Sequence, residues 1–135
     1  MAWENDRRNV SDELPEAETR RLIDAHLQKA GWEADTKNLR YSRGTRPVRG
    51  RNLAIAEWPT DAASGTRGFV DYALFAGTRM VAVLEAKAAD KDVPAVLDGQ
   101  GRDYASHIRK ADAEYVIDTW DKYQVPFAFA SNGRP

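Results

Sequence analysis

The chain has 135 residues, with 20 lysines and arginines against 21 aspartates and glutamates, and its formal net charge is -1. The length predicts a single domain, over residues 1–135, that can bury a core without covalent cross-links. The chain contains no cysteine, which excludes a disulfide framework and a thiolate metal site. It also has no apolar signal segment and no run of apolar residues long enough to span a membrane. We therefore expect a cytoplasmic protein without membrane contact, and the near-zero charge excludes a global basic field.

The first predicted element is a helix over about residues 15–30, with proline in its first turn and Gly31 closing it. Apolar residues recur in it at helical spacing, so one face is expected to pack on a core. Two acids, Glu16 and Glu18, lie near its start. The helix dipole favours acids there, so they need no catalytic role.

The remaining pattern predicts a sheet. Strands are expected over residues 52–58, where Pro59 ends the strand, and over 68–76, 79–87 and 126–130. Further helices are expected over 93–110 and 113–123, and disorder over 1–10 and 132–135. The two central strands are apolar on both faces, which is typical of strands covered on both sides. The sequence thus predicts an α/β fold with a mixed central sheet of about four strands, flanked by helices on both faces.

An apolar hairpin carries three ionisable residues, Asp71, Glu85 and Lys87, into the expected interior. Because burying an unpaired charge is costly, such residues on core strands indicate a site. Residues two apart on a strand share a face, so Glu85 and Lys87 point the same way. Two carboxylates suit a divalent cation, and a lysine can act on the water or phosphate beside it. The alternative is a strand end whose charges reach solvent.

The hairpin loop decides whether Asp71 shares the face of Glu85. Opposed residues of an antiparallel pair share a face, so the paired positions must sum to an even number. That condition predicts an odd-length loop, Ala76-Gly77-Thr78, with glycine or its neighbour in a left-handed conformation. A two-residue Gly77-Thr78 loop would place Asp71 on the opposite face.

A basic stretch lies between Asp35 and Glu57, where the chain has no acid. Its charged residues are Lys37, Arg40, Arg43, Arg46, Arg49 and Arg51. Interleaved with tyrosine, glycine and proline, the stretch is typical of an exposed loop whose arginines contact a phosphate backbone. The alternative is a solvated loop whose arginines pair with acids elsewhere.

The order of the elements resembles the PD-(D/E)XK nuclease superfamily: an acidic helix, a strand, the Asp71 strand, the Glu85-x-Lys87 strand, a helix and a final strand. The phrasing is most similar to the amino-terminal nuclease domain of the R subunit of type I restriction endonucleases. The similar segments are Glu18–Asp24, Ala30–Trp32, Asn52–Pro59, Val70–Phe75, Val83–Lys87, Gln100–Ala105 and Pro126–Gly133. The resemblance implies a restriction-endonuclease-like core that hydrolyses double-stranded DNA with Mg²⁺, or with Mn²⁺ as a substitute.

The resemblance also implies a site. The implied catalytic residues are Asp71, Glu85, Lys87 and Glu18, the last chosen over Glu16 by its place in the family phrase. Asp71, Glu85 and the backbone carbonyl of Ala86 would hold the ion, and Lys87 would position or deprotonate the attacking water. Val70 stands where the superfamily motif has proline, which is usual in this family.

Gln100 and Tyr104 are four residues apart and would share one face of the expected helix. The family resemblance implies that this pair engages DNA beside the catalytic cluster. It also favours phosphate contact over the solvated loop for the basic stretch, that is, for Arg40, Arg43, Arg46, Arg49 and Arg51. An ordinary amphipathic surface is the alternative.

No Gly-x-x-x-x-Gly-Lys-Ser/Thr phosphate loop occurs in the chain, so no ATP site is expected. By resemblance, the partners would be a helicase motor domain in the same full-length subunit and separate modification and specificity subunits, so the chain is expected to be a nuclease domain without its motor. Two other functions stay open. One is a stand-alone repair or junction-resolving nuclease, and the other is a noncatalytic docking module whose acidic cluster is structural.

Overall fold

The computed structural model describes residues 17–61, 67–86, 106–119 and 122–133. In these ranges an α-helix, α1, spans residues 17–29. The strands are β1 (Glu33–Ala34), β2 (Asn52–Asp61), β3 (Arg67–Ala76), β4 (Arg79–Ala86) and β5 (Phe127–Ser131), and 3-10 helices cover Tyr41–Arg43 and Lys110–Tyr115. No helix in the described part of the chain is long and apolar enough to cross a membrane.

The strands form one mixed sheet in the order β1-β2-β3-β4-β5. The strands β2, β3 and β4 are an antiparallel meander, while β1 and β5 run parallel to their neighbours. A mixed α/β fold is therefore confirmed, with five strands instead of about four. The extra strand, β1, has two residues, which is too short to produce a period in the sequence.

Two apolar clusters pack on the two faces of the sheet. One joins α1 to the sheet through Ile23, Leu27, Ala54, Tyr72, Leu74, Leu84 and Ala86. The other contains Leu53, Ile55, Trp58, Val70, Ala73, Phe75, Met80, Val83, Ile108 and Val125. In the described residues, α1 covers the first face, while the second is covered by the 3-10 segments and loops. The described residues thus show an α-helix on one face of the sheet, and they do not confirm the prediction of helices on both faces.

The predicted helix over 113–123 is wrong in its described part, because only a 3-10 helix ending at Tyr115 forms there. Val116 instead forms a β-bridge with Met80, and Asp112 turns into the core. Of the predicted helix over 93–110, residues 93–105 lie outside the described residues. The ends at 1–10 and 134–135 also lie outside them, while Gly133 is buried.

Pro59 does not end β2, which continues to Asp61 and pairs Pro59 with Phe69 of β3. Proline is tolerated in a strand where its missing N–H faces an edge. Along the described chain, β1 pairs only with Leu53 and Ala54, so the outer side of β2 at Pro59 carries no strand. The strand therefore extends beyond the position at which the sequence predicts its end.

The hairpin loop between β3 and β4 has two residues, Gly77 and Thr78, so the predicted odd-length loop is wrong. Gly77 has a φ of 60°, which suits a tight two-residue turn. Ala76 and Arg79 close the turn as a pair. Without a further irregularity, this two-residue loop would place Asp71 on the face opposite Glu85.

A β-bulge restores a register in which the numbers of the paired residues sum to an even number. The pairing shifts between Leu74 and Phe75, which leaves Val81 of β4 as the extra residue. Beyond the bulge, Tyr72 lies opposite Leu84, and continuing that register places Asp71 opposite Glu85. The bulge thus changes the register, although the pairs of this ladder end at Tyr72 and Leu84, before Asp71 and Glu85.

The core cluster opposite α1 contains a buried ion pair. Asp112 is 4% exposed, and its carboxylate accepts hydrogen bonds from Trp58 Nε1 at 2.9 Å and from Arg109 Nε at 3.1 Å. The rings of Phe75 and Tyr115 pack against the Trp58 indole. Asp112 therefore anchors the 3-10 segment to the centre of the sheet.

We expect Asp112→Ala to lower the free energy of unfolding by about 2 kcal/mol, because it leaves a half-buried guanidinium and a buried indole N–H without their acceptor. Asp118→Ala is the matched control, since Asp118 is exposed and should change stability by less than about 0.5 kcal/mol. Urea unfolding measures both. Equal, small losses would show that the buried pair does not anchor the segment.

Candidate functional site

The strand ladder is interrupted at one level of the sheet. The pairing of β2 with β3 passes over Glu57 and Asp71, which would otherwise lie opposite each other. Glu57 has a φ of 52°, a left-handed conformation that is uncommon for a residue with a side chain. Such conformations cluster at functional sites, so this level of the sheet is the candidate site.

Side-chain alternation changes at the same level. Ile55 and Trp58 are three residues apart, yet both belong to the cluster opposite α1. Val70 and Ala73 on β3 show the same break. Strict alternation would put residues three apart on opposite faces, so both strands turn here.

Arg20 of α1 lies between the two carboxylates. Its Nη2 donates to Asp71 Oδ1 at 2.7 Å and lies 3.9 Å from Glu57 Oε1, while its Nη1 donates to the Asp71 carbonyl at 3.3 Å. The side chains of Arg20 and Asp71 are 13% and 19% exposed, so water screens their attraction weakly. Burial acts to lower the pKa of Arg20, but Asp71, with Tyr72 and Glu57, outweighs it and raises that pKa. Arg20 is therefore a permanent cation at this site.

The second oxygen of Asp71 is bound to β4. Oδ2 accepts a hydrogen bond from the Ala86 N–H at 2.7 Å. The Asp71 carboxylate thus joins α1 to the end of β4, beside Glu85, which is 6% exposed. Leu84 and Ala86 belong to the cluster on the α1 side, so alternation along β4 turns Glu85 toward the other face. Asp71 therefore reaches the β4 backbone next to Glu85.

A hydrogen-bond network fixes the position of α1 beside Asp71. The Tyr72 hydroxyl donates to Asp24 Oδ1 at 2.8 Å and lies 2.8 Å from Thr36 Oγ1 and 3.3 Å from the Arg20 carbonyl. Thr36 also donates its N–H to Asp24 at 2.9 Å. Burial raises the pKa of Tyr72, so the hydroxyl stays neutral and remains a donor. These contacts hold Arg20 in register with Asp71.

Arg40 extends the cluster away from α1. It forms an ion pair with Glu57 Oε2, on the side of the carboxylate away from Arg20. The charges therefore alternate through four paired residues, in the order Asp71, Arg20, Glu57 and Arg40. We call these four residues the ion-pair chain.

The other basic residues of the stretch after Asp35 fall into two groups. Arg51 pairs with Glu33 at 2.6 Å, and Arg46 lies over the Tyr41 ring at 3.6 Å from its centroid. Arg43 and Arg49 are exposed. Pairing with acids thus accounts for Arg40 and Arg51, while Arg43 and Arg49 point to solvent.

The remaining predicted site residues are not part of the ion-pair chain. Glu18 is exposed and pairs with Arg21 on α1, and that hydrogen bond lowers the pKa of Glu18. Glu16, Lys87, Gln100 and Tyr104 lie outside the described residues. Among the residues that are described, no three histidine, aspartate or glutamate side chains form a group that could hold a metal ion.

Arg20 and Glu57 lie at the candidate site but were not among the residues predicted from the sequence. Arg20 lies three residues before Ile23, on the apolar face of α1, and an arginine at such a position signals a buried partner. Glu57 carries no comparable signal, because its position depends on a backbone conformation that the residue type does not favour.

We expect Glu57→Gly to be more stable than Glu57→Ala by about 1 kcal/mol, because both remove the ion pairs but only glycine adopts the left-handed conformation without strain. At Ala56, with ordinary strand geometry, Ala56→Gly should instead lower stability by about 0.5–1 kcal/mol. Thermal or urea unfolding measures the three variants. If Glu57→Gly is less stable than Glu57→Ala, the backbone at position 57 is not strained.

The chain was compared with known proteins. A family model described as the type I restriction enzyme EcoKI endonuclease subunit second domain matches residues 33–135. The type I restriction enzyme EcoKI endonuclease subunit of Escherichia coli (strain K12) is 42% identical over 145 aligned positions, which cover 90% of this chain and 12% of that protein. The chain thus spans a small part of that relative's length, and no solved structure matches it. The resemblance to type I R subunits is confirmed: the chain belongs to the family of the second domain of type I restriction enzyme endonuclease subunits.

Proposed function

We propose that this chain is the DNA-cleaving domain of a type I restriction enzyme endonuclease subunit, and that it hydrolyses phosphodiester bonds in double-stranded DNA with Mg²⁺. Family membership supports the restriction-enzyme role. The observation that carries the proposal is the Asp71 carboxylate, held between a buried arginine and the β4 backbone beside Glu85. Its place at an interruption of the sheet, opposite the strained Glu57, supports the proposal.

The donors present suit a divalent cation. Mg²⁺ takes oxygen ligands and keeps several waters, so one or two carboxylates are enough. Asp71 Oδ1 already accepts a hydrogen bond from the Arg20 guanidinium, so the position beside this oxygen favours a positive charge. By the family resemblance, Asp71, Glu85 and the carbonyl of Ala86 would hold Mg²⁺, or Mn²⁺ in its place, and the Glu85 side chain would have to turn from the opposite face of the sheet to reach the ion. When bound, the ion would lower the pKa of a water and offset charge on the phosphate.

The remaining roles follow from the family resemblance and the strand spacing. Lys87, two residues after Glu85, would position or deprotonate the attacking water. Gln100 and Tyr104 would engage DNA next to it, with Glu18 as an accessory acid. A helicase motor domain in the same subunit and separate modification and specificity subunits would supply translocation and sequence choice. We place the enzyme in the cytoplasm.

A noncatalytic docking module is the second candidate, and one observation favours it. Both oxygens of Asp71 accept hydrogen bonds from the protein itself, which is what a purely structural carboxylate would do. The two candidates differ in whether Asp71 is required for chemistry, so cleavage and folding must be measured separately.

We expect the 135-residue chain to nick supercoiled plasmid in Mn²⁺, and Asp71→Ala, Glu85→Ala and Lys87→Ala each to lower the rate at least about 100-fold. Glu33→Ala is the control, since it removes an exposed acid distant in sequence and should leave the rate unchanged. Circular dichroism shows whether each variant is folded. A folded wild-type chain that does not cut would favour the docking module, and folded Asp71→Ala that cuts at the wild-type rate would show that Asp71 is not required for the chemistry.

We expect the exposed arginines Arg43 and Arg49 to contact phosphates. The double variant Arg43→Ala, Arg49→Ala should weaken binding to all DNA sequences and lower the slope of log affinity against log salt by about two. Binding is measured in Ca²⁺, which suppresses cleavage. The control variant Lys29→Ala, Lys110→Ala removes the same charge from exposed positions elsewhere. If both variants change the slope equally, the basic stretch is a solvated loop.

A further inference from the structure

We propose that Arg20 occupies the cation position beside Asp71 when no divalent ion is bound, and that Glu57 receives the Arg20 guanidinium when the ion enters. Arg20 would thus be a positioning residue that competes with the ion. This inference rests on the proposed function, in which Asp71 is a ligand of the ion.

The geometry makes Arg20 a direct competitor. Its Nη2 lies 2.7 Å from Asp71 Oδ1, the distance of a charge-assisted hydrogen bond. A divalent cation bound to that oxygen and the guanidinium cannot share the position, because like charges in a weakly screened site repel. Binding of the ion therefore requires Arg20 to move away from Oδ1.

Glu57 is placed to accept Arg20 after a short movement. The same Nη2 atom is 3.9 Å from Glu57 Oε1, so a shift of about 1 Å converts a distant ion pair into a hydrogen bond. Arg40 holds the other oxygen of Glu57 and so fixes the carboxylate in place. The guanidinium would exchange one acid for another without becoming an unpaired buried charge, which keeps the cost of the movement low.

The backbone at Glu57 supports a role beyond simple pairing. A glutamate with a φ of 52° costs more than one in ordinary strand geometry, and the surrounding sheet maintains it. Ordinary alternation at this position would carry the carboxylate away from Arg20. The strained conformation is thus what brings a second acid to the α1 side of the sheet.

A structural role for Arg20 predicts a different result. If Arg20 only joins α1 to β3, removing its charge lowers stability and leaves ion affinity unchanged or weaker. If Arg20 competes, removing its charge strengthens ion binding. Mn²⁺ affinity therefore separates the two roles without any measurement of DNA cleavage.

Isothermal titration of the 135-residue chain with Mn²⁺ tests the inference. We expect Arg20→Gln to bind Mn²⁺ at least about fivefold more tightly than wild type, since ion and guanidinium no longer compete. Arg21→Gln is the matched control: it removes the same charge from the next residue, which is exposed and pairs with Glu18, and its affinity should equal that of wild type.

The role of Glu57 is tested by a double-mutant cycle. Glu57→Gln should weaken Mn²⁺ binding about threefold, because Arg20 loses its alternative partner, and it should have no effect when Arg20→Gln is also present. Additive effects of the two changes would show a general charge effect and contradict the exchange.

Thermal unfolding gives a second readout. In EDTA, Arg20→Gln should have a lower Tm than wild type, and Mn²⁺ should raise the Tm of the variant by more than that of wild type. If Arg20→Gln does not fold, Arg20→Lys replaces it with the same expected direction, because lysine forms the weaker contact.

The outcomes separate this inference from the proposed function. If Arg20→Gln and Arg21→Gln bind Mn²⁺ with equal affinity while wild-type binding still depends on Asp71, the exchange is overturned and the ion site remains. Asp71→Ala that binds Mn²⁺ like wild type contradicts the ion site itself. Failure of both wild type and Arg20→Gln to bind Mn²⁺ rejects both.

Discussion

The ion pair between Arg20 and Asp71 holds the described parts of the site together. Burying a guanidinium is costly unless a carboxylate meets it, and here that carboxylate also accepts the Ala86 N–H. One side chain therefore connects α1, β3 and β4 at a single point. The Tyr72 hydroxyl, bound to Asp24 and near the Arg20 carbonyl, supports this connection from the same face.

Two departures from regular strand geometry lie on the strands that carry the site, a bulge in β4 and a left-handed residue in β2. The two-residue turn at Gly77 would have turned Asp71 away from Glu85, and the bulge at Val81 compensates for it. The left-handed backbone at Glu57 then brings a second acid toward Arg20. The strained backbone at Glu57, opposite Asp71, is the departure that indicates a site, since such conformations cluster at functional sites. The docking-module alternative explains the pairing of Asp71 but gives no reason for strain at Glu57.

The sequence predicted the parts of the fold that repeat with a clear period. The continuous apolar runs around Tyr72 and Val83 located the central hairpin, and helical spacing located α1. Prediction failed where tertiary contacts decide the structure: Asp112 turns inward to Trp58, so the expected helix after it does not form. The same holds for the site: the charged residues of the apolar hairpin predicted Asp71 and Glu85, but the parity argument assumed an odd-length loop, and only the folded sheet shows a two-residue loop with a bulge.

The central claim is that a divalent cation binds at Asp71, between β3 and β4. Paramagnetic broadening by substoichiometric Mn²⁺ in amide NMR spectra tests it most directly, because the effect falls steeply with distance from the ion. We predict that the Tyr72 and Ala86 amides broaden first, and that Asp71→Ala abolishes the effect. Broadening that begins instead at exposed acids such as Glu114 or Asp118, and that survives Asp71→Ala, would contradict it.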